Sequence, residues 1–148
     1  MDIIDKKILN LIQTGFPIES RPYKIIGEKV GITEQDAFER INRLKENGTI
    51  RRIGATFDSR KLGFSSTLCA AKVTKNKIDN FIKVVNSYHG ITHNYERDHK
   101  YNIWFTLIVS SKEEIESIIK EITEKTGVKN IRNMPAIRFF KVKVDLKV

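Results

Sequence analysis

The chain has 148 residues, 40% of them hydrophobic and 30% charged, which suits one ordinary domain or two very small ones and excludes a disordered tail. No apolar run approaches the ~20 residues of a membrane helix. The acidic Met-Asp-Ile-Ile-Asp start is unlike a signal peptide, and a single cysteine, Cys69, excludes an internal disulfide and a thiolate metal site. The expectation is a cytoplasmic protein without membrane contact. The net charge of +9 invites a nucleic-acid reading, but residues 1–64 hold 12 Lys/Arg against 9 Asp/Glu and residues 65–148 hold 15 against 9. The basic excess therefore lies mostly outside the half where a DNA-binding element would sit, and a Lys-rich surface that favours solubility accounts for it equally well.

Ile4, Ile8 and Leu11, with Ile3 and Ile12 beside them, follow helical spacing and predict a helix over residues 2–13, ended by Thr14-Gly15-Phe16-Pro17. A second helix fits Tyr23 to Val30, closed by Gly31. A third starts at Thr33, with Asp36 as its capping-box partner. Ala37, Phe38, Ile41 and Leu44 form its buried stripe, and Asn47-Gly48 stops it. Thr49 to Asp58 then reads as a two-stranded wing.

This is a winged helix-turn-helix pattern, expected over residues 1–63. It either reads a DNA major groove or serves only as a packing module. Glu34, Gln35, Asp36 and Glu39 stand where side chains would meet bases. Carboxylates there face phosphate repulsion, although some of that acid is ordinary capping chemistry. In the wing, Arg51 and Arg52 face opposite ways, so at most one points into a given site. Either would clamp a carboxylate or phosphate, or remain solvated.

From Ser65 the pattern changes. Ser66 to Val73 reads as a strand; Ile78, Phe81, Ile82 and Val85 mark an amphipathic helix that ends before Gly90. Strands over Ile91–Arg97 and Tyr101–Val109 follow, joined by a tight turn through Asp98-His99. Ser111 to Glu114 is a capping box opening a helix with the stripe Ile115, Ile118, Ile119 and Ile122, and Gly127 is its natural stop. A last strand alternates Phe140, Val142, Val144, Leu146 and Val148 against Lys141, Lys143, Asp145 and Lys147. The fold class is α+β, with a ferredoxin-like βαββαβ domain over residues 64–148. Two helices cover one sheet face; the open one meets a partner copy or a ligand.

If residues 91–97 are extended, the side-chain period of two puts Ile91, His93, Tyr95 and Arg97 on one face. An imidazole, a phenol and a guanidinium in a row are poor core material, because each polar head needs a partner when buried. They suit holding an anion and delivering a proton. Trp104 and Phe105 lie on opposite faces of their strand, so one is core and the other is free to stack on a flat ligand or fill a dimer interface. His89 and His99 read as solvated, and Cys69 as inert packing.

A winged helix-turn-helix followed by a ferredoxin-like domain resembles the Lrp/AsnC family over essentially the whole chain. Two stretches are similar to a particular branch of it: Gly48-Thr-Ile-Arg-Arg-Ile-Gly-Ala-Thr-Phe-Asp-Ser-Arg-Lys-Leu-Gly63 and Thr92-His-Asn-Tyr-Glu-Arg-Asp-His-Lys-Tyr-Asn-Ile-Trp-Phe-Thr106. With Asn133-Met134-Pro135 and Arg138 they resemble the sirohaem decarboxylases of the alternative haem pathway and related proteins of the nitrite-reductase haem pathway. The resemblance implies a lyase that removes carbon dioxide from two acetate side chains of sirohaem, giving didecarboxysirohaem without an added organic cofactor. It implies a homodimer, or a heterodimer with a paralogous subunit, and leaves open that this chain is the silent partner.

On that reading His93 is the first candidate for the general acid and Tyr95 the second. His93 is otherwise an axial ligand to the substrate iron or a structural histidine; no resident metal site is expected. Arg97 belongs on a carboxylate that stays, since pairing the leaving carboxylate would stabilise the ground state more than the transition state. Arg51, Arg52, Lys100 and Arg138 share that task, and Asn94 and Trp104 complete the expected substrate-binding set. The alternative is a DNA-binding regulator of the same fold that senses a tetrapyrrole.

Overall fold

The computed structural model describes residues 1–141 and 146–148 and divides them into two compact units. One comprises Met1–Thr56 with the chain's last eight positions, Lys141–Val148; the other is Phe57–Phe140.

In the first unit α1 (Ile3–Ile12), α2 (Pro22–Val30) and α3 (Glu34–Glu46) surround Ile8, Ile26, Ala37, Ile41 and Leu44. Each boundary has a local cause. Asp2 and Asp5 cap α1 reciprocally, Pro22 opens α2, and Gly31 closes α2 at a φ of 82° that a side chain disfavours. The Thr33 hydroxyl caps α3 by accepting from the Asp36 N–H. The expected reciprocal box does not form there, because the Asp36 carboxylate takes the Thr33 hydroxyl instead, at 2.7 Å. Phe38 is not in the buried stripe; it is 41% exposed and meets Tyr23 edge-on.

Asp5 is buried between α1 and α3, where Arg40 and Arg43 hydrogen-bond it at 2.8 and 3.0 Å. Arg40 also reaches Asp2, and Arg21 pairs with Glu34. The wing expected over residues 49–58 does not form as strands. Ile50 packs into the helical core and its N–H is taken by the Leu44 carbonyl, but an isolated two-stranded ribbon is marginal in water.

The second unit is the expected βαββαβ arrangement: β1 (Ser65–Ala71), α4 (Ile78–Asn86), β2 (Ile91–Glu96), β3 (Ile103–Val109), α5 (Lys112–Thr126) and β4 (Ile131–Met134). All neighbours pair antiparallel in the order β2-β3-β1-β4. Cys69, Ala71, Ile103, Phe105 and Leu107 turn to the helices and meet Phe81, Val85, Ile115 and Ile122. The opposite face is open.

The fourth strand departs from expectation. The alternation over 140–148 pointed to a final strand there, but Phe140 and residues 146–148 are not strand, and residues 142–145 lie outside the described ones. The sheet is completed by Ile131–Met134. Gly127 ends α5 in the left-handed region, Val128 buries into the core, and the Lys72 N–H bonds the Asn130 carbonyl. The chain is thus laid along the free edge of β1 sooner than its hydrophobic pattern suggests.

Candidate functional site

The open face is built by register. Tyr95 lies opposite Trp104, Trp104 opposite Ala70, and Ala70 opposite Arg132, so one row crosses all four strands. The next row is His93, Thr106, Leu68 and Met134. Opposed residues in an antiparallel pair share a face, so these eight side chains point the same way, opposite the helices.

β2 reaches this register through two local features. Ile91 pairs with Leu107 but His93 with Thr106, so Thr92 is an extra residue, a β-bulge. The bulge breaks the expected single face: Ile91 turns to the helix-covered core while His93 and Tyr95 turn to the open side. Just before it, Gly90 lets the backbones close. A Cβ there would fall 2.6 Å from the Ile108 carbonyl oxygen, and the Gly90 carbonyl accepts from the Ile108 N–H at 2.9 Å.

The His93 and Tyr95 rings stack with centroids 5.9 Å apart and planes 27° from parallel. His93 is exposed; its Nδ1 lies 3.1 Å from the Thr92 hydroxyl, and Nε2 has no protein partner among the described residues. Tyr95 is 54% exposed. The Arg97 guanidinium lies 5.5 Å over the Trp104 ring. Trp104 is fixed in turn, its indole N–H donating to the Tyr101 carbonyl at 2.7 Å. These four residues form a contiguous patch of acid-base, stacking and anion-binding groups.

Other expected residues go elsewhere. Asn94 faces the helices and donates to Asn86 of α4 at 2.9 Å. Lys100 is exposed in the β2–β3 turn. Arg138 follows β4 and stacks over Phe140 at 5.0 Å. Arg51 and Arg52 belong to the helical unit, where they line a cavity of about 620 Å³ walled by Leu9, Ile12, Phe16 and Ile53. Trp104, not Phe105, is on the open face; Phe105 is core. Cys69 is also core, and burial pushes its thiol up to about 12.

Arg132 is absent from the expected set. Its guanidinium lies 4.5 Å over the Tyr101 ring, and His99 stacks on Tyr101 as well. His99 is exposed in the turn, as expected, with Nδ1 accepting from the Tyr101 N–H. Nothing in the local run Ile131-Arg-Asn-Met134 marks Arg132, because its strand was not legible. Among the described residues no three His, Cys, Asp or Glu side chains gather as metal ligands.

Residues 61–141 match the family described as an AsnC-like ligand binding domain, and residues 5–51 match the siroheme decarboxylase NirDL-like HTH domain. The chain is 55% identical to the siroheme decarboxylase alpha subunit of Oleidesulfovibrio alaskensis over all of its length and 90% of the relative. The crystal structure of the siroheme decarboxylase NirDL in co-complex with an iron-uroporphyrin III analogue superimposes with a TM-score of 0.73 at 35% identity. The match takes in 97% of this chain and 47% of NirDL, so the chain spans about half of that protein's length. Escherichia coli AsnC shares the fold, with a TM-score of 0.83 at 15% identity over 100% of this chain and 99% of that one.

Proposed function

We propose a reaction for this chain from one premise: it belongs to the sirohaem decarboxylase family, built on an AsnC-like ligand-binding domain. The chain is a carboxy-lyase subunit that removes carbon dioxide from two acetate side chains of sirohaem and leaves methyl groups. The observation that carries this reading is the open sheet face, where an imidazole, a phenol, an indole and a guanidinium stand together. A flat ring lies over Trp104 and Leu68. Arg97 pairs with a carboxylate that stays, and His93 Nε2 meets a reacting acetate.

The chemistry balances without an added organic cofactor. The C–C bond to the carboxylate breaks, carbon dioxide leaves, and the electron pair stays on the exocyclic carbon, delocalised into the conjugated ring. Protonated His93 delivers a proton to that carbon, and solvent recharges the imidazole from the open side. A positioned acid of this kind contributes about 10²–10⁴-fold. Tyr95, stacked on His93, orients the ring and is the second candidate for the proton. The iron comes with the substrate.

The partner is a second subunit of the same fold; relatives carry subunit names, and the open face is where a flat ligand would be enclosed. A cytoplasmic setting suits the lone buried thiol. DNA recognition is the weaker reading, because Arg40 and Arg43 of α3 are engaged by Asp2 and Asp5 and the first turn of α3 is acidic.

The test is anaerobic incubation of the chain with sirohaem, alone and with its paralogue, following product mass. Loss of two carboxyl groups is expected, slowed about 10²–10⁴-fold in His93→Ala with sirohaem still bound. Full activity in His93→Ala would remove His93 from the chemistry, and absence of mass loss with both subunits present would overturn the reaction.

A further inference from the structure

We propose that Arg132 is a second carboxylate fork on the open face, which with Arg97 fixes the rotational setting of the ring and so selects the acetates that meet His93. The inference rests on the reading above and adds a specificity residue to it.

Arg132 stands on β4, in the row that runs through Ala70 and Trp104 to Tyr95. β2 and β4 are three strand spacings apart, roughly 14 Å. Arg97, directly after β2, and Arg132 therefore start from opposite flanks of the same face. Both guanidiniums lie over aromatic rings, Arg97 over Trp104 and Arg132 over Tyr101. Stacking of this kind uses the face of the guanidinium and leaves its N–H edge free to grip a carboxylate in the plane. Among the described residues neither has a carboxylate partner, whereas Arg21, Arg40, Arg43 and Arg60 all do. The two ring-bearing residues are tied together, since Trp104 donates its indole N–H to the carbonyl of Tyr101.

The surface beside the two guanidiniums is apolar: Leu68 is 41% exposed, while Ala70, between Trp104 and Arg132 in the row, is covered at 2% exposure. Two guanidiniums without carboxylate partners on one face suit a ligand with more than one acid group better than a small monocarboxylate. They match a flat polycarboxylate with acid groups on opposite rims. A ring held at one rim still pivots about that contact; a ring held at two does not. Arg97 alone keeps the substrate on the face, and Arg132 decides which side chains lie over His93.

The full chain, with its paralogous subunit, is titrated with iron uroporphyrin III by absorbance and assayed with sirohaem by product mass and chromatography, comparing wild type, Arg132→Gln and Arg132→Lys. Arg132 is exposed, so both variants are expected to melt with wild type. Loss of one charge-assisted fork weakens binding by about 10- to 100-fold in Arg132→Gln. KM rises more than kcat falls, and singly decarboxylated isomers appear in altered proportion. Arg132→Lys recovers part of the affinity but not the isomer pattern, since an ammonium lacks the planar fork.

Wild-type affinity and product pattern in Arg132→Gln, with an active wild type, would overturn the inference and leave the reaction standing. Weakened porphyrin binding in Arg132→Gln while wild type releases no carbon dioxide would support the fork and overturn the reaction. No porphyrin binding by wild type overturns both.

Discussion

Replacing Gly90 by alanine tests whether the backbone before the bulge sets the position of His93. A Cβ at residue 90 falls 2.6 Å from the Ile108 carbonyl oxygen, 2.8 Å from Val109 Cγ1 and 3.0 Å from Leu107 Cδ1. The nearest of these is backbone in the middle of the sheet, so it cannot swing aside as a long side chain would. Either β2 lifts away, stretching the 2.9 Å bond from the Ile108 N–H to the Gly90 carbonyl, or β3 distorts. Overpacking costs about 1–3 kcal/mol and the weakened bond adds about 1 kcal/mol, for a loss of roughly 2–4 kcal/mol. His93 is three residues on, so a shift on the order of 1 Å there costs about 10²-fold in rate. Urea denaturation and sirohaem turnover measure the two effects, with Gly15→Ala, whose Cβ would meet nothing within 4 Å, as control. Gly90→Ala with a stability within about 0.5 kcal/mol of wild type and unchanged turnover would refute the reasoning.

Three further outcomes follow from the same geometry. Burial works to raise the Asp5 carboxyl, but the hydrogen bond from Arg40 and the backbone N–H of Asp2 outweigh it and hold it below the ordinary carboxylate range. The stability it contributes is therefore present above the unfolded value of about 3.9 and is lost as pH falls through the folded value. By circular dichroism, Asp5→Asn should be less stable by about 1–3 kcal/mol at pH 7, with the gap closing toward acid; a gap constant down to acid pH would contradict this. Cys69, pushed up to about 12 by burial, should resist iodoacetamide at pH 8 until urea unfolds the sheet, and rapid native alkylation seen by mass spectrometry would contradict its core position. With Arg40 and Arg43 engaged by aspartates, duplex DNA should be bound no more tightly than the non-specific range of about 10⁻⁴–10⁻⁶ M at physiological salt, and sequence-specific nanomolar binding by anisotropy would reverse that reading.

Much of the architecture was local enough to be read from the chain. Thr33, Gly31, Ser111 and Gly127 punctuate helices where the pattern placed them, because a cap is a bargain struck within four residues. The alternation of β3 was legible for the same reason, and with it the placing of either Trp104 or Phe105 in the core. The contiguous stretch His93-Asn94-Tyr95-Glu96-Arg97 carried the family resemblance without any tertiary information.

What the tertiary structure alone decided is everything that depends on a partner distant in sequence. The bulge at Thr92 exists because β2 must register against β3, and it separates Ile91 from His93 and Tyr95. The fourth strand is Ile131–Met134 because the free edge of β1 accepts it, although the alternation downstream looked more strand-like. The wing was expected as a ribbon, but two short segments without a third strand or a packed face do not hold a ladder. Arg132 became visible only once β4 had been laid beside β1, since a strand's facing is set by its neighbour's register and not by its own composition.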